Sequence, residues 1–519
     1  MCGSGDGRGS NAMSAGVFDV ASVRAAEQVL MAEVAEGTLM RRAATGLESI
    51  IAGMLTQLRG RVPGSAVVVL VGSGNNGGDA LWAASGLVGR GAGVLAITFA
   101  DRWHDQGMRG FVRRGGRSIA VDELDDESLS ALLAEADVIL DGLTGIGGKG
   151  PLRGRAVDAA VAATISGAVV VSVDVPSGVD ADTGHVADPT ACIEADMTVT
   201  FGCVKSGLVL APGRFFAGAL RVVDIGLSDY LPPQECRVLD EFDLALGVAE
   251  PTDGDYKYSR GVVCVAAGSA AYRGAAFLAV DGARYAGVGM VRYLSSSTSL
   301  AEGIAARFPD VVVTGKFTDL REDQRVTGFG VGPGWGSDAS AEHTLHEILE
   351  LDIPVVLDAD ALRLLARDLA PLMGRTDAGR ISVITPHEGE FAALGFSIGD
   401  DRLAAARQAA KALGCVVVLK GPGTVIATPS GDAFIDVFGS ANLGTAGSGD
   451  VLTGLLAGML AAGHARNGAM SMPIVGRIAA VAVGIHGLAG QLAGDAGRPV
   501  TASDIATFLP EAIARVRRG

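Results

Sequence analysis

Asp450 closes the segment Ala446-Gly447-Ser448-Gly449-Asp450 and stands in front of a run of small and aliphatic residues, Val451 to Ala462. Backbone N–H groups at a helix start can hold a phosphoryl group in transit, and an aspartate at the helix mouth can take the proton of an attacking hydroxyl. The combination reads as phosphoryl transfer. The plainer alternative is a glycine turn whose Asp450 merely favours the helix N-terminus. Four neighbouring segments weigh against it: Gly332-Pro333-Gly334-Trp335-Gly336, Asp358-Ala359-Asp360-Ala361-Leu362, Thr385-Pro386-His387-Glu388-Gly389-Glu390 and Lys420-Gly421-Pro422-Gly423-Thr424, each following a β-rich run. Singly, His387 reads as a surface or capping histidine and Lys420 as a solvated charge; as a set they line one edge of a sheet. No GxxxxGK[ST] sequence is present, which disfavours the P-loop class.

The first half carries a different set. Gly72-Ser73-Gly74-Asn75-Asn76-Gly77-Gly78-Asp79 follows the apolar run Ala66 to Val71 and opens a helical stretch. It matches GxGxxG formally, but a dehydrogenase would need Asp101, rather far along, as its ribose-binding acid, and would not need the Asn-Asn pair or Asp79. What the physics supports is an anion site for phosphate; a purely structural turn is the competing reading. Two further strand ends carry acids: Asp141-Gly142-Leu143-Thr144-Gly145-Ile146-Gly147-Gly148-Lys149-Gly150 and Asp174-Val175-Pro176-Ser177-Gly178-Val179-Asp180. Carboxyl ends of parallel strands are where open α/β sheets place ligands, although either acid could instead cap a following helix.

Such residues need strands that end together. Leu47, Ile51, Met54 and Leu58 recur at helical spacing and predict a helix over 36–60. Strands are expected at 66–71, 94–99, 138–140, 168–173, 197–201 and 220–223, and, beyond a break, at 262–266, 311–314, 327–331, 355–357, 381–384 and 415–419, with helix-compatible stretches between them. That alternation predicts an α/β fold, two three-layer domains with parallel sheets. Pro232-Pro233, the acids of 240–243 and Pro251-Thr252-Asp253-Gly254 place a boundary near 235 and make 226–260 read as a linker. The domains are therefore expected at 13–235 and 236–519.

Composition removes several classes. Of 519 residues, 42 are Lys or Arg and 58 Asp or Glu, a net charge of −16 that repels nucleic acid and anionic membranes. The apolar stretches 451–463 and 478–494 are too short or too interrupted to span a bilayer. Six cysteines without CxxC spacing are expected to be reduced thiols in a cytoplasmic protein. Residues 1–12 hold no apolar signal core and are set aside from the fold.

On the Asn75–Asp79, Asp141 and Asp174–Asp180 segments, residues 20–230 resemble the YjeF N-terminal domain, the NAD(P)H-hydrate epimerases. The resemblance implies a Rossmann-like fold in which Asn75, Asn76, Gly77, Gly78 and Asp79 hold the hydrate's phosphates. Gly145, Ile146, Gly147, Gly148, Lys149, Gly150, Pro151 and Asp174 would line the hydrated ring, with Asp174 as catalytic carboxylate and the general acid unidentified. A potassium ion would be bound by Asn76, Asp141 and Ser177, all oxygen donors suited to a hard cation. From Lys257 to the end the chain is similar to the ribokinase-like YjeF C-terminal domain, the NAD(P)H-hydrate dehydratases. There the resemblance assigns Lys420, Gly421, Pro422, Gly423, Thr424 and Gly449 to the nucleotide, and Ala275, Gly334, His387 and Asp450 to the hydrate. Tyr272-Arg273 stands where many relatives have Tyr-Pro, a departure that removes no functional group.

The two resemblances belong to two steps of one repair. The expected activity is epimerisation of the R and S forms of NADH or NADPH hydrate, and dehydration of the S form by Asp450 at the expense of ADP, giving AMP and phosphate, or of ATP, with Mg2+ accompanying either nucleotide. The expected partners are these small molecules, without nucleic acid or membrane, in a homo-oligomer. Two rivals stand: a hydroxymethylpyrimidine- or sugar-type kinase with a fused module, and a first domain that binds without turnover.

Overall fold

The computed structural model describes residues 16–321 and 323–518. The stretch 1–12 lies outside them, as does Cys2. The chain divides between Gln234 and Glu235 into two units.

In the first unit, seven parallel strands run in the spatial order Arg117–Ala120, Gly93–Thr98, Ala66–Val71, Val138–Gly142, Val169–Val173, Met197–Phe201, Ala219–Val223. The chain starts in the middle, winds one way, then returns past the first strand and winds the other, which is the doubly wound Rossmann order. Both faces are covered, as continuous aliphatic strands such as Ala-Val-Val-Val-Leu-Val require. Helices Val20–Glu33, Thr38–Arg59, Asn75–Gly89 and Asp105–Arg113 bury one face and Asp126–Ala134 with Arg155–Ile165 the other. The helix expected over 36–60 is Thr38–Arg59; Leu47 and Ile51 are fully buried, whereas Leu58 is exposed.

The second unit holds ten strands in the order Cys236–Val238, Ala433–Ile435, Val425–Ala427, Val416–Leu419, Ser382–Ile384, Val355–Leu357, Gly328–Val331, Val262–Ala266, Met290–Leu294, Val311–Thr314. All pairs are parallel except those of Val425–Ala427, which runs against both its neighbours. Helix Ser448–Asn467 packs on Arg273–Arg284 almost backbone to backbone: a methyl on Gly454 would meet the Ala279 carbonyl oxygen at 1.8 Å. Met472–Ala493 is long and apolar enough to cross a membrane by length and composition, yet it is a core helix packed on Ser448–Asn467 and Ala502–Arg518.

The linker expectation is corrected here. Cys236–Val238 joins the second sheet beside Ala433–Ile435, and Asp240 caps a helix, Glu241–Gly247, by accepting from Asp243 N at 2.8 Å. That helix sinks Leu244 fully into the core. The acids that suggested irregular chain are its N-cap and first-turn charges.

Candidate functional site

The first site lies where the winding reverses, between strands Ala66–Val71 and Val138–Gly142. Gly72 can sit there because it lacks a side chain: a Cβ would stand 1.9 Å from the Leu143 carbonyl oxygen of the neighbouring strand-end loop. From it the chain turns into helix Asn75–Gly89, with Asn75 exposed and Asn76, Gly77 and Gly78 buried at its N-terminal turn. Asn76 Nδ2 donates to the Thr144 carbonyl at 2.8 Å. Asp141, fully buried, accepts from Ser177 Oγ at 2.6 Å, from Ser177 N and Ser172 Oγ at 2.9 Å, and from Leu143 N at 3.2 Å. Burial nevertheless holds its carboxyl above the usual aspartate range. Thr144 N donates to Ser177 Oγ at 2.9 Å. Asn76, Asp141 and Ser177, expected together, are thus joined around Thr144. The Gly145–Pro151 loop is half-buried to exposed, with Gly147, Lys149 and Gly150 outermost.

Asp174 ends strand Val169–Val173 at φ 65°, a left-handed backbone that few non-glycine residues adopt and that aspartate tolerates better than most. Its Oδ1 accepts from Lys205 Nζ at 2.6 Å, Thr200 Oγ1 at 3.0 Å and Phe201 N at 3.2 Å. Lys205, 1% exposed, was not legible as a site residue from the sequence; a single lysine in Cys203-Val-Lys-Ser206 has no motif around it. Glu27, on a helix preceding the sheet, was missed as well; burial, opposed by Lys205, pushes its carboxyl up.

The second site is built the same way. The loops after Val262–Ala266 and Gly328–Val331 meet through Gly268 N, which donates to the Pro333 carbonyl at 2.7 Å. Gly334, at φ 55°, leaves no room for a side chain beside Tyr272 and Ala275, so Ala275 and Gly334 are neighbours, as expected. Asp358 follows the next strand and is 1% exposed. Its Oδ1 accepts from Lys420 Nζ at 2.6 Å and its Oδ2 from Thr453 Oγ1 at 2.7 Å. Lys420 also lies 3.8 Å from Glu390 Oε2. Although burial works against its charge, Asp358 and Glu390 keep its pKa raised. His387 caps helix Glu388–Ala393, its Nδ1 accepting from Gly389 N and Glu390 N, with the ring about half exposed. Gly421 and Pro422 are exposed, and Thr424 Oγ1 returns to the Gly421 carbonyl at 2.9 Å.

Asp450 is half-buried in the first turn of Ser448–Asn467. Burial first, then the charge of Asp358, pushes its pKa up to about 7, with Lys420 opposing. A base poised there is ionised in part at neutral pH and still strong enough to take a hydroxyl proton. Lys420 Nζ stands 3.4 Å from where a Cβ on Gly449 would be, so a cation and a helix N-terminus converge beside Asp450. His486, 4% exposed on the core helix Met472–Ala493, has no motif around it in the sequence. Its Nε2 lies 3.0 Å from the Ser448 carbonyl oxygen and 3.2 Å from Ser448 Oγ, and burial drops its pKa to about 4.

Fold and sites define an enzyme class with two separate strand-end centres, the second equipped for phosphoryl transfer. Comparison with known proteins carries this further. Residues 36–207 match the family model described as YjeF-related protein N-terminus, and 263–511 the model described as NAD(P)H-hydrate dehydratase. The bifunctional NAD(P)H-hydrate repair enzyme Nnr of Mycobacterium tuberculosis is 42% identical over 448 residues, covering 86% of this chain and 89% of that protein. The corresponding enzyme of Moorella thermoacetica is 33% identical over 501 residues, covering 89% and 90%. Among solved structures, the ADP/ATP-dependent NAD(P)H-hydrate dehydratase of Bacillus subtilis, co-crystallised with ATP and Mg2+, is 28% identical with a TM-score of 0.46, covering 54% of this chain and 98% of that one. The chain belongs to the bifunctional NAD(P)H-hydrate repair enzymes, which join an epimerase domain to a dehydratase domain.

Proposed function

We propose that the first domain interconverts the R and S hydrates at the ring carbon next to nitrogen, and that the second dehydrates the S form with ADP or ATP as phosphate donor. The observation that carries it is the second site's convergence of a poised Asp450, the Lys420 ammonium and a helix N-terminus. Asp450 takes the proton of the C6 hydroxyl as its oxygen attacks the terminal phosphorus. The P–O bond to the nucleotide breaks, giving AMP from ADP. Phosphate then leaves C6 with the C–O pair, pushed by the ring nitrogen, and takes up the C5 proton whose loss restores the dihydropyridine. Ala275, Gly334 and His387 would face the hydrate, and Lys420–Thr424 with Gly449 the nucleotide. Mg2+, when bound with the nucleotide, neutralises phosphate charge.

In the first domain Asn75–Gly78 would hold the hydrate's phosphates, with Asp79, the Gly145–Pro151 loop and Asp174 toward its ring. The oxygens of Asn76, Asp141 and Ser177 suit a potassium ion, which would tie three loops together. Among the described residues no three His, Cys, Asp or Glu side chains are grouped so that they could hold a metal ion. A cytoplasmic, homo-oligomeric enzyme without membrane or nucleic-acid partners completes it. Purified chain, incubated with mixed hydrate and ADP or ATP, should release phosphate and regenerate reduced nicotinamide. A stable phosphorylated product would instead indicate a small-molecule kinase.

A further inference from the structure

Asp79 Oδ1 is closed off from solvent and has no hydrogen-bond partner among the described residues. The residue sits in the second turn of helix Asn75–Gly89, close enough to Asp174, to Glu27 of helix Val20–Glu33 and to Lys205 for their charges to act on it. Among the described residues the cation whose charge acts on Asp79 is Lys205, and it is fully engaged. Lys205 Nζ donates to Asp174 Oδ1 at 2.6 Å, to Thr200 Oγ1 at 2.9 Å and to the Phe201 carbonyl at 2.8 Å, and an ammonium has three hydrogens to give.

The residue is half-buried, but with Oδ1 bare and closed off the ionised carboxylate is disfavoured, which favours the protonated form. Burial above all, then the charges of Asp174 and Glu27, push its carboxyl well above the usual aspartate range, with Lys205 opposing. Around this cluster Arg24 acts on Glu27, burial pushes the Cys203 thiol up to about 11, and Glu48, packed against the helix at Gly86, pairs with Arg90 at 2.7 Å. Asp141, on the adjoining strand, accepts four hydrogen bonds, and His104, packed at Gly78, accepts from Gly107 N through Nδ1.

We propose that Asp79 is the general acid of the epimerisation, a catalytic residue that touches the C6 hydroxyl of the hydrate. This rests on the epimerase reading of the first domain. The carboxyl proton of Asp79 passes to the hydroxyl as the C6–O bond breaks. The bond pair leaves with oxygen as water, and the ring-nitrogen lone pair forms the C6–N double bond. Water then adds to the opposite face of the planar C6 and gives a proton to Asp174, which returns it to Asp79 before the next turnover. Ring, proton and water balance without any other reactant.

The test uses the full chain with mixed hydrate and nucleotide, where the S form is consumed first and the R form at the rate of epimerisation. Asp79→Asn keeps the side-chain shape and should lower the kcat of the second phase at least 100-fold, with its KM within threefold and the first phase unchanged. In the wild type, the second-phase rate should fall as pH rises through the Asp79 pKa, because the protonated form works. Glu27→Gln removes one negative neighbour and should move that fall to lower pH. Retention of more than a fifth of the rate in Asp79→Asn, or a loss carried wholly by KM, would overturn the assignment, as would a pH profile unmoved by Glu27→Gln. A wild-type chain with no epimerisation above the spontaneous rate would overturn the epimerase reading itself.

Discussion

Lys420 and Asp358, from two different strand ends, meet in an ion pair of 2.6 Å, and the same aspartate accepts from Thr453 at 2.7 Å one turn beyond Asp450. Asp358 therefore ties two strand ends and the phosphoryl-transfer helix together, and its charge is what, after burial, most raises the pKa of Asp450. A positively charged side chain and a proton acceptor thus share one site, close enough for their charges to act on each other.

Asp450→Asn should lower the dehydration rate by about 10²- to 10⁴-fold, about 3–5 kcal/mol of barrier, while nucleotide affinity changes only a few-fold. Rates and nucleotide binding measured on the same preparation separate the two. Near-normal turnover would remove Asp450 from the chemistry.

The pH dependence follows in sign. The base must be ionised, so the wild-type dehydration rate should climb with pH and level off above about 7. Asp358→Asn should move that limb to lower pH, whatever it does to the maximum. Folding carries the mirror image: the native state holds the Asp450 proton more tightly than the unfolded chain, from the ordinary 3.8 up to about 7. Across that window stability should fall as pH rises, and Asp450→Asn should flatten the slope seen in denaturant titrations.

Asp141→Ala should weaken hydrate binding to the first domain and abolish any dependence on potassium. It should also cost about 1–3 kcal/mol of stability by leaving the Ser172 and Ser177 donors without their acceptor. Hydrate affinity equal to wild type, with and without potassium, would reject the cation reading.

The strand-end sites were legible because they are local. Gly72–Asp79, Asp141 and Asp174 in one half, and Gly334, His387, Lys420 and Asp450 in the other, each sit in a contiguous segment whose glycines and polar residues announce a turn after a strand. What was not legible arrives from elsewhere in the chain. Lys205 reaches Asp174 across 31 residues, His486 reaches Ser448 across 38, and Asp358 reaches Thr453 across 95. None of these has a local pattern, because the tertiary packing alone selects the partner. Three strands of three residues each, Cys236–Val238, Val425–Ala427 and Ala433–Ile435, were missed, as was the five-residue Met290–Leu294.

That miss has a consequence for dissection. A chain of residues 235–519 should fold and dehydrate, whereas one beginning at 257 lacks the edge strand and the helix that buries Leu244. Loss of that packing should lower stability by at least the ~2–5 kcal/mol of a buried leucine deletion. Equal melting temperatures for the two chains would show that 235–256 is dispensable after all.

His486→Leu should raise the nucleotide Kd about tenfold, since the Ser448 carbonyl at the helix start loses its partner at a cost of about 1–2 kcal/mol. His486→Gln, which can still donate, should restore most of it. With a pKa of about 4 the ring is neutral throughout, so the effect should not vary between pH 6 and 8 in parallel titrations.

The central claim, one chain performing both steps of hydrate repair, is tested most directly by following reduced-nicotinamide absorbance after adding nucleotide to an equal mixture of R and S hydrates. The full chain should run to completion, its R form consumed at the enzymatic epimerisation rate, whereas Asp174→Asn should stop near half conversion before a far slower phase at the spontaneous epimerisation rate. A stable phosphorylated product without recovery of that absorbance, or a single fast phase to completion in Asp174→Asn, would contradict it.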